Sequence, residues 1–267
     1  MESALDYHTA KALLDWHIEL GADEALCEAP VDRYALAVAQ AASKAAAAER
    51  APAQAHVVAA KTPEVDPVAV AEHAAKSAQD LPALATALQG FELCGLKKGA
   101  RQLVFGDGQA APARVMVIGG APSREDDRLG RPFSGPDGGL LDKMLAAIDL
   151  DRTASEAHQA VYLTYALPWR PPQNMDPSKA DLAMMLPFLQ RHVELVQPDV
   201  LVLMGNVSCQ MGLGRSGIAR LRGQWGQAFG LPVLPMYAPA DLRRNTRLKR
   251  DAWADLLALK AKLSAPA

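Results

Sequence analysis

The chain of 267 residues has 50% apolar and 22% charged residues and a formal net charge of -2, which is ordinary for a soluble globular protein. Its three cysteines form no CxxC pair, which argues against a disulfide framework and a zinc site, and no apolar stretch reaches the roughly 20 residues of a membrane span. Because no signal-peptide pattern follows Glu2, we expect a cytoplasmic protein without membrane contact.

The first third of the chain predicts a helix, a linker and a second helical segment. Apolar residues recur near one face of residues 4–20, so residues 1–27 predict an amphipathic N-terminal helix, which is a candidate contact for a protein partner. Residues 28–68 are rich in Ala and Pro and predict a linker. Residues 69–91 predict a helical lead-in to the rest of the chain.

The remainder, residues 92–263, alternates between short apolar runs and helical patterns. The apolar runs, which predict buried strands, are residues 115–118, 161–164, 200–203 and 233–236. Helical patterns cover residues 139–149, residues 179–196 and a shorter stretch after Asn206. Strands that alternate with helices pair in parallel through right-handed crossovers, so this part predicts an α/β domain with a mostly parallel four-stranded sheet.

Loops rich in Gly, Pro and polar residues follow all four predicted strands. They comprise residues 119–123, 165–174, 205–208 and 237–240. In open α/β sheets the ligand lies beyond the carboxyl ends of the strands, so these loops predict a binding site at one edge of the sheet. The alternative is that they are ordinary turns.

Motifs in these loops follow one another in a characteristic order. They read GGAP at 119–122, GRPF at 130–133, RPPQN at 170–174, LRG at 221–223 and PADL at 239–242. Their order and spacing resemble those of the type-4 uracil-DNA glycosylases. The resemblance implies a three-layer sandwich, with single- or double-stranded DNA as the partner and removal of a flipped-out uracil or another damaged base as the reaction.

Two positions of the implied base pocket keep the side chains of that family. Phe133 matches the ring that stacks on the base, and Asn174 matches the Asn of the Arg-Pro-Pro loop. Ala121 lies in the first motif of the same pocket. The alternatives are a core aromatic at Phe133 and a turn residue at Asn174, since Asn tolerates turn geometry.

Three other pocket positions depart from the family. Gly120 stands where the family has Glu, Tyr165 where an Asn reads the base, and Ala238 where a His donates to the departing base. A phenol cannot offer the paired acceptor and donor of an amide, and a methyl group cannot donate at all. Loss of one such donor typically costs about 100–1000-fold in rate. Turnover therefore stays open, with Asp126, or its neighbours Glu125 and Asp127, as a candidate base for activating water and Tyr237 as a candidate replacement donor. The alternative for the three acids is that they are exposed residues of a loop.

The ligands of the four-iron cluster that type-4 enzymes carry are also largely lost. The resemblance places one ligand at Cys94 and the others at Phe91, Trp169 and Met184. One thiolate cannot hold a cluster, so we expect no cluster and no other metal in this chain. Cys94 is then a small buried hydrophobe.

The charge distribution suggests where DNA would bind. Residues 1–94 carry a net charge of -8, whereas residues 215–250 carry +7. The candidate DNA contacts in that basic segment are Arg220, Arg222, Leu242, Arg243 and Arg244. The resemblance places Leu242 where the family has a wedge that replaces the flipped nucleotide. The alternatives are a solvated surface for the arginines and a core position for Leu242.

Three functions therefore stay open. The first is an active DNA glycosylase with a rearranged pocket, which the order of the motifs favours. The second is a catalytically inactive module that binds DNA or a partner, which the three departures favour. The third is a hydrolase of a free nucleoside. Fold alone does not decide between them.

Overall fold

The computed structural model describes residues 7–21, 66–111 and 113–264, and the chain falls into two units, residues 1–64 and 65–267. In the first unit the helix α1 (Tyr7–Glu19) confirms the predicted N-terminal helix. None of its side chains is buried, and its binding to a protein partner stays a prediction. Most of the predicted linker, through residue 65, lies outside the described residues. No described helix is long and apolar enough to cross a membrane.

The second unit begins with two short helices, α2 (Pro67–Ser77) and α3 (Leu81–Gly90), in the segment predicted to be a helical lead-in. Both begin in the same way. The Asp66 carboxylate accepts from the amide of Val68 at 2.9 Å, and the Asp80 carboxylate accepts from the amide of Ala83 at 2.8 Å. Because the first turn of a helix has unpaired amides and can accommodate Pro, this capping chemistry explains where both helices start.

The core of the second unit is a six-stranded sheet of order β1-β3-β2-β4-β6-β5. The strands are β1 (Gly106–Gly108), β2 (Val115–Gly119), β3 (Val161–Tyr165), β4 (Val200–Met204), β5 (Gly226–Ala228) and β6 (Leu231–Met236). The four predicted strands pair in parallel in the centre, as expected. The edge strands β1 and β5 are antiparallel and were not predicted, because three residues containing Gly give no apolar run.

Helices cover both faces of this sheet, which confirms the three-layer sandwich. One face packs against α2, α3, α6 (Lys179–Val196) and α7 (Asn206–Leu213). The other face packs against α5 (Gly135–Ala146) and α10 (Lys249–Ser264). Short helices complete the unit: α4 (Arg124–Leu129), α8 (Ile218–Leu221) and α9 (Pro239–Arg244), with 3₁₀ turns at Gly95–Gly99, Pro172–Asn174 and Thr246–Leu248.

The loops at the carboxyl ends of the four central strands meet at one edge, as predicted from their parallel order. The amides of Ala166 and Leu167 donate to the carbonyls of Gly119 and Gly120, at 2.8 and 3.0 Å. The amide of Gly205 donates to the carbonyl of Met236 at 3.0 Å. Strand β2 lies between β3 and β4, and such a reversal of strand order is where open α/β sheets bind ligands.

Candidate functional site

Two stacked aromatic rings occupy the end of β2. The ring centroids of Phe133 and Tyr165 lie 4.7 Å apart, with an interplanar angle of 28°, and both residues are buried. Gly119 lies directly against them, since a Cβ atom at this position would come within 2.7 Å of both rings. Tyr165 therefore points inward and covers one face of Phe133.

The loop that carries Phe133 is held by a buried arginine that sequence reasoning missed. Phe133 has a φ of +49°, a conformation that side-chain-bearing residues rarely adopt. The guanidinium of Arg152 donates to the carbonyls of Pro132 and Phe133, each at 3.2 Å, and binds the carboxylates of Asp107 and Asp142. A lone Arg in a loop gives no signal in sequence, so only the folded chain reveals this support.

The carboxylate of Asp126 joins three parts of the site. It accepts from the hydroxyl of Tyr165 at 2.8 Å, the amide of Ser123 at 2.7 Å and the amide of Ser134 at 2.6 Å. Only 1% of Asp126 is exposed. Burial, with the negative charge of Asp126 next in size, raises the pKa of Tyr165 well above its usual range, so the phenol stays protonated and donates. The carboxylate is thus engaged in holding loops, and its action as a base stays a prediction.

Two other predicted pocket positions, Gly120 and Ala238, lie near the start of α7. A Cβ atom on Gly120 would lie 3.2 Å from the Cβ of Val207, and one on Gly205 would lie 3.7 Å from the Cβ of Ala238. Ala121 is half-buried against the core. Asn174 ends the Pro172–Asn174 turn, and its side chain lies outside the described part of the chain.

Tyr237, the candidate replacement donor, is buried in a small apolar cluster beyond β6. Its ring packs with Leu242 and Ala252. Leu242 is 1% exposed in the same cluster, so it occupies the core position that the sequence offered as an alternative. Action of Leu242 as a wedge in DNA would require its side chain to leave this cluster, and that role stays a prediction.

The predicted basic contacts divide into two groups. Arg220, Arg243 and Arg244 are exposed, although Arg243 binds Asp137 at 2.6 Å. Arg222 instead faces the interior, where its Nε donates to Asp255 at 2.9 Å, a second nitrogen also binds that carboxylate, and the carbonyl of Asp251 accepts at 2.9 Å. The exposed arginines could thus reach a phosphate as they stand, whereas Arg222 would first have to leave Asp255.

The four positions matched to cluster ligands lie together in one apolar core. Phe91, Cys94, Trp169 and Met184 are all buried in it, and the ring of Phe91 contacts that of Phe188 edge to face at 5.3 Å. Burial is the largest of the influences that raise the pKa of Cys94, so its thiol is neutral. In the ranges that the structure describes, no group of three or more His, Cys, Asp or Glu could hold a metal ion.

Comparison with known proteins agrees with the motif order. The family described as the Uracil DNA glycosylase superfamily matches residues 105–257. The type-4 uracil-DNA glycosylase of Archaeoglobus fulgidus is 32% identical over 173 residues, which is 61% of this chain and 82% of that enzyme. The type-4 enzyme of Thermotoga maritima is 29% identical over 61% of this chain and 84% of its own length. That of Saccharolobus solfataricus is 27% identical over 69% and 87%.

Proposed function

Because the chain belongs to the uracil-DNA glycosylase superfamily, we propose that it binds DNA through the glycosylase fold and does not release uracil at an appreciable rate. The observation that carries this proposal is the stack of Tyr165 on Phe133. In the type-4 pattern the residue at 165 reads the base while the ring at 133 stacks on it, so the base lies against both. Here the phenol fills that place.

The chemistry of the pocket supports the same conclusion. Cleavage of the N-glycosidic bond leaves negative charge on the departing base, which a donor in a dry site must stabilise. Position 238 carries only a methyl group, and position 120 carries no side chain. Each missing donor typically costs about 100–1000-fold in rate, so a closed pocket that also lacks the donor would have little activity.

Binding of DNA rests on the exposed basic side chains and on the family. Arg220, Arg243 and Arg244 are exposed on α8 and α9, near the loops that follow β4 and β6. Contacts of arginines to phosphates depend little on base sequence and bind single or double strands. We infer base-excision repair as the setting, in which a lesion or a DNA end is recognised rather than processed.

An active glycosylase is the second candidate. It is favoured by the retained Phe133 and by the 32% identity to an enzyme named as a type-4 uracil-DNA glycosylase. Activity would require the Tyr165 ring to swing away from Phe133 and to release Asp126. Entry of a free nucleoside would need the same movement, so the closed pocket argues equally against a nucleoside hydrolase.

Excision from an oligonucleotide decides between the two candidates. We expect that excess protein, incubated with a labelled oligonucleotide that contains one deoxyuridine, leaves it resistant to alkaline cleavage. We also expect binding that weakens steeply with salt, because phosphate contacts release counterions. The excision assay is run on both single and double strands, with a protein-free sample as its control. Strand breakage that Phe133→Ala abolishes would refute the proposed lack of turnover.

We further propose that the chain holds no iron–sulfur cluster. Such clusters need thiolates, and three of the four matched positions are Phe91, Trp169 and Met184, packed in the core together with Cys94. Protein purified without oxygen should show neither bound iron nor the broad visible absorbance of a cluster. Cys94→Ala should leave both measurements unchanged. Stoichiometric iron that is lost in this variant would contradict the proposal.

A further inference from the structure

A cleft rich in arginine lies along α4, the helix that carries Asp126, outside the basic segment that the sequence singled out. Its volume is about 350 Å³. The lining residues are Arg101, Arg124, Arg128 and Arg170, together with Glu125 and Asp127. Arg101 precedes β1, the four lining residues from Arg124 to Arg128 belong to α4, and Arg170 follows β3. Because these residues are scattered in sequence, no charge run marked the cleft.

The two carboxylates in this cleft have other partners than Arg101 and Arg124. Glu125 forms an ion pair with Arg128, and the hydrogen bond from Arg128 holds the pKa of Glu125 below its usual range. Asp127 is buried and accepts from the backbone amides of Arg101, at 2.8 Å, and Gln102, at 3.4 Å. Within the described ranges, no carboxylate lies within ion-pair distance of the guanidinium of Arg101 or Arg124. Arg101 and Arg124 therefore bring two positive charges into the cleft that form no ion pair with a described carboxylate.

We propose that this cleft binds a phosphate group of a DNA strand. The planar fork of a guanidinium matches the oxygens of a phosphate in a bidentate manner, which makes Arg the preferred residue for phosphate recognition. Arginines that converge without matching carboxylates repel one another, and a bound dianion or diester relieves that repulsion. The cleft is also built rather than incidental, since the buried Asp127 fixes the backbone that carries Arg101.

The position of the cleft connects it to the proposed function, on which this inference rests. Asp126 lies between two residues that line the cleft and accepts the hydrogen bond from Tyr165. Arg170 follows the same strand, β3, that ends in Tyr165. A phosphate in the cleft would therefore belong to a nucleotide next to the closed base pocket. It could come from the strand backbone or from a 5′ end, and the shared chemistry is the phosphate.

The test compares two double variants with the same loss of charge. Arg101→Ala/Arg124→Ala removes two cleft arginines that form no ion pair with a described carboxylate, and Lys76→Ala/Lys262→Ala removes two exposed lysines that lie on α2 and α10. Fluorescence anisotropy measures binding of a single-stranded oligonucleotide with a 5′-hydroxyl or a 5′-phosphate, over a series of salt concentrations. Calorimetry measures binding of pyrophosphate to the same proteins.

We expect the cleft variant to bind the oligonucleotide about tenfold more weakly than the lysine variant, with a salt dependence reduced by about one phosphate contact. A loss confined to the 5′-phosphorylated oligonucleotide would identify a strand end, and an equal loss with both would identify the backbone.

Equal affinity of the two variants, with intact binding by the unmodified chain, would overturn the inference while the proposed function stands. If the unmodified chain binds no oligonucleotide, the proposed function fails. In that case, pyrophosphate binding that the cleft variant loses and the lysine variant retains would still support an anion site in the cleft. If the unmodified chain binds no pyrophosphate either, the anion site is refuted as well.

Discussion

Uracil release should appear when Tyr165→Asn and Ala238→His are combined in one chain, at a rate at least about 100-fold above that of the unmodified protein. The first substitution removes the ring that covers Phe133 and supplies an amide that can both accept from and donate to a base. The second places a donor near Gly205, where the Cβ of Ala238 already lies at the edge of the site. Release is measured in single turnovers, with protein in excess over a deoxyuridine oligonucleotide.

Matched variants separate the two contributions. Ala238→His alone leaves the phenol in place, and Tyr165→Phe keeps a ring against Phe133 without its hydroxyl, so we expect both to remain inactive. Adding Phe133→Ala to the active pair should remove most of the new activity, because the stacking surface is lost. A combined variant that is folded and binds DNA as the unmodified chain does, yet releases no uracil, would contradict the prediction that Tyr165 and Ala238 limit turnover.

Arg222→Ala should lower the free energy of unfolding by about 3 kcal/mol, because it leaves a buried carboxylate without its charged partner. The side chain of Asp255 is 2% exposed, and Arg222 is the one cation bound to it among the described residues. Burial raises the pKa of Asp255 even with Arg222 present, so desolvation outweighs the attraction of the pair. The salt bridge thus reduces the desolvation penalty of the buried Asp255 carboxylate rather than adding a large net stabilisation to the fold.

The pH dependence of this variant follows from the same shift. A carboxyl group whose pKa is higher in the folded state binds protons more readily there, so stability increases as the pH falls toward that pKa. Loss of Arg222 raises the pKa of Asp255 further, and the deficit should therefore be smaller at acidic than at neutral pH. Urea unfolding at acidic and at neutral pH measures this deficit in the free energy of unfolding. Arg220→Ala, at an exposed position on α8, the short helix that ends just before Arg222, should change stability by less than about 0.5 kcal/mol. Equal effects of the two variants would contradict this role for Arg222.

The central strands and the location of the site could be predicted because both depend on local patterns. A buried parallel strand is a continuous apolar run, and loops at the carboxyl ends of such strands meet by topology alone. The directions of side chains could not be predicted in the same way. Arg220 and Arg222 stand two residues apart in one basic segment, yet the first is exposed and the second binds Asp255, which lies far along the chain.

Long-range polar contacts explain the other omissions. The sequence showed that Tyr165 replaces an Asn, but whether its ring pointed inward depended on Asp126 and on the amide of Phe133, which donates to the phenol oxygen at 3.2 Å. Arg152 supports the Phe133 loop from 19 residues away. Neither contact produces a periodic pattern, so each becomes visible only when the loops are placed together.

The hydrogen bond from Tyr165 to Asp126 also bears on how this chain can change over time. Asp126 has three donors, one of which is the Tyr165 hydroxyl, and loss of a partner by a buried polar group typically costs about 1–3 kcal/mol. Replacement of Tyr165 removes this hydroxyl donor, so we expect the first mutational step away from Tyr165 to lower stability before any chemistry is regained. Selection for stable folding alone would then preserve Tyr165, so a lineage that has acquired this residue is not expected to return readily to an open pocket.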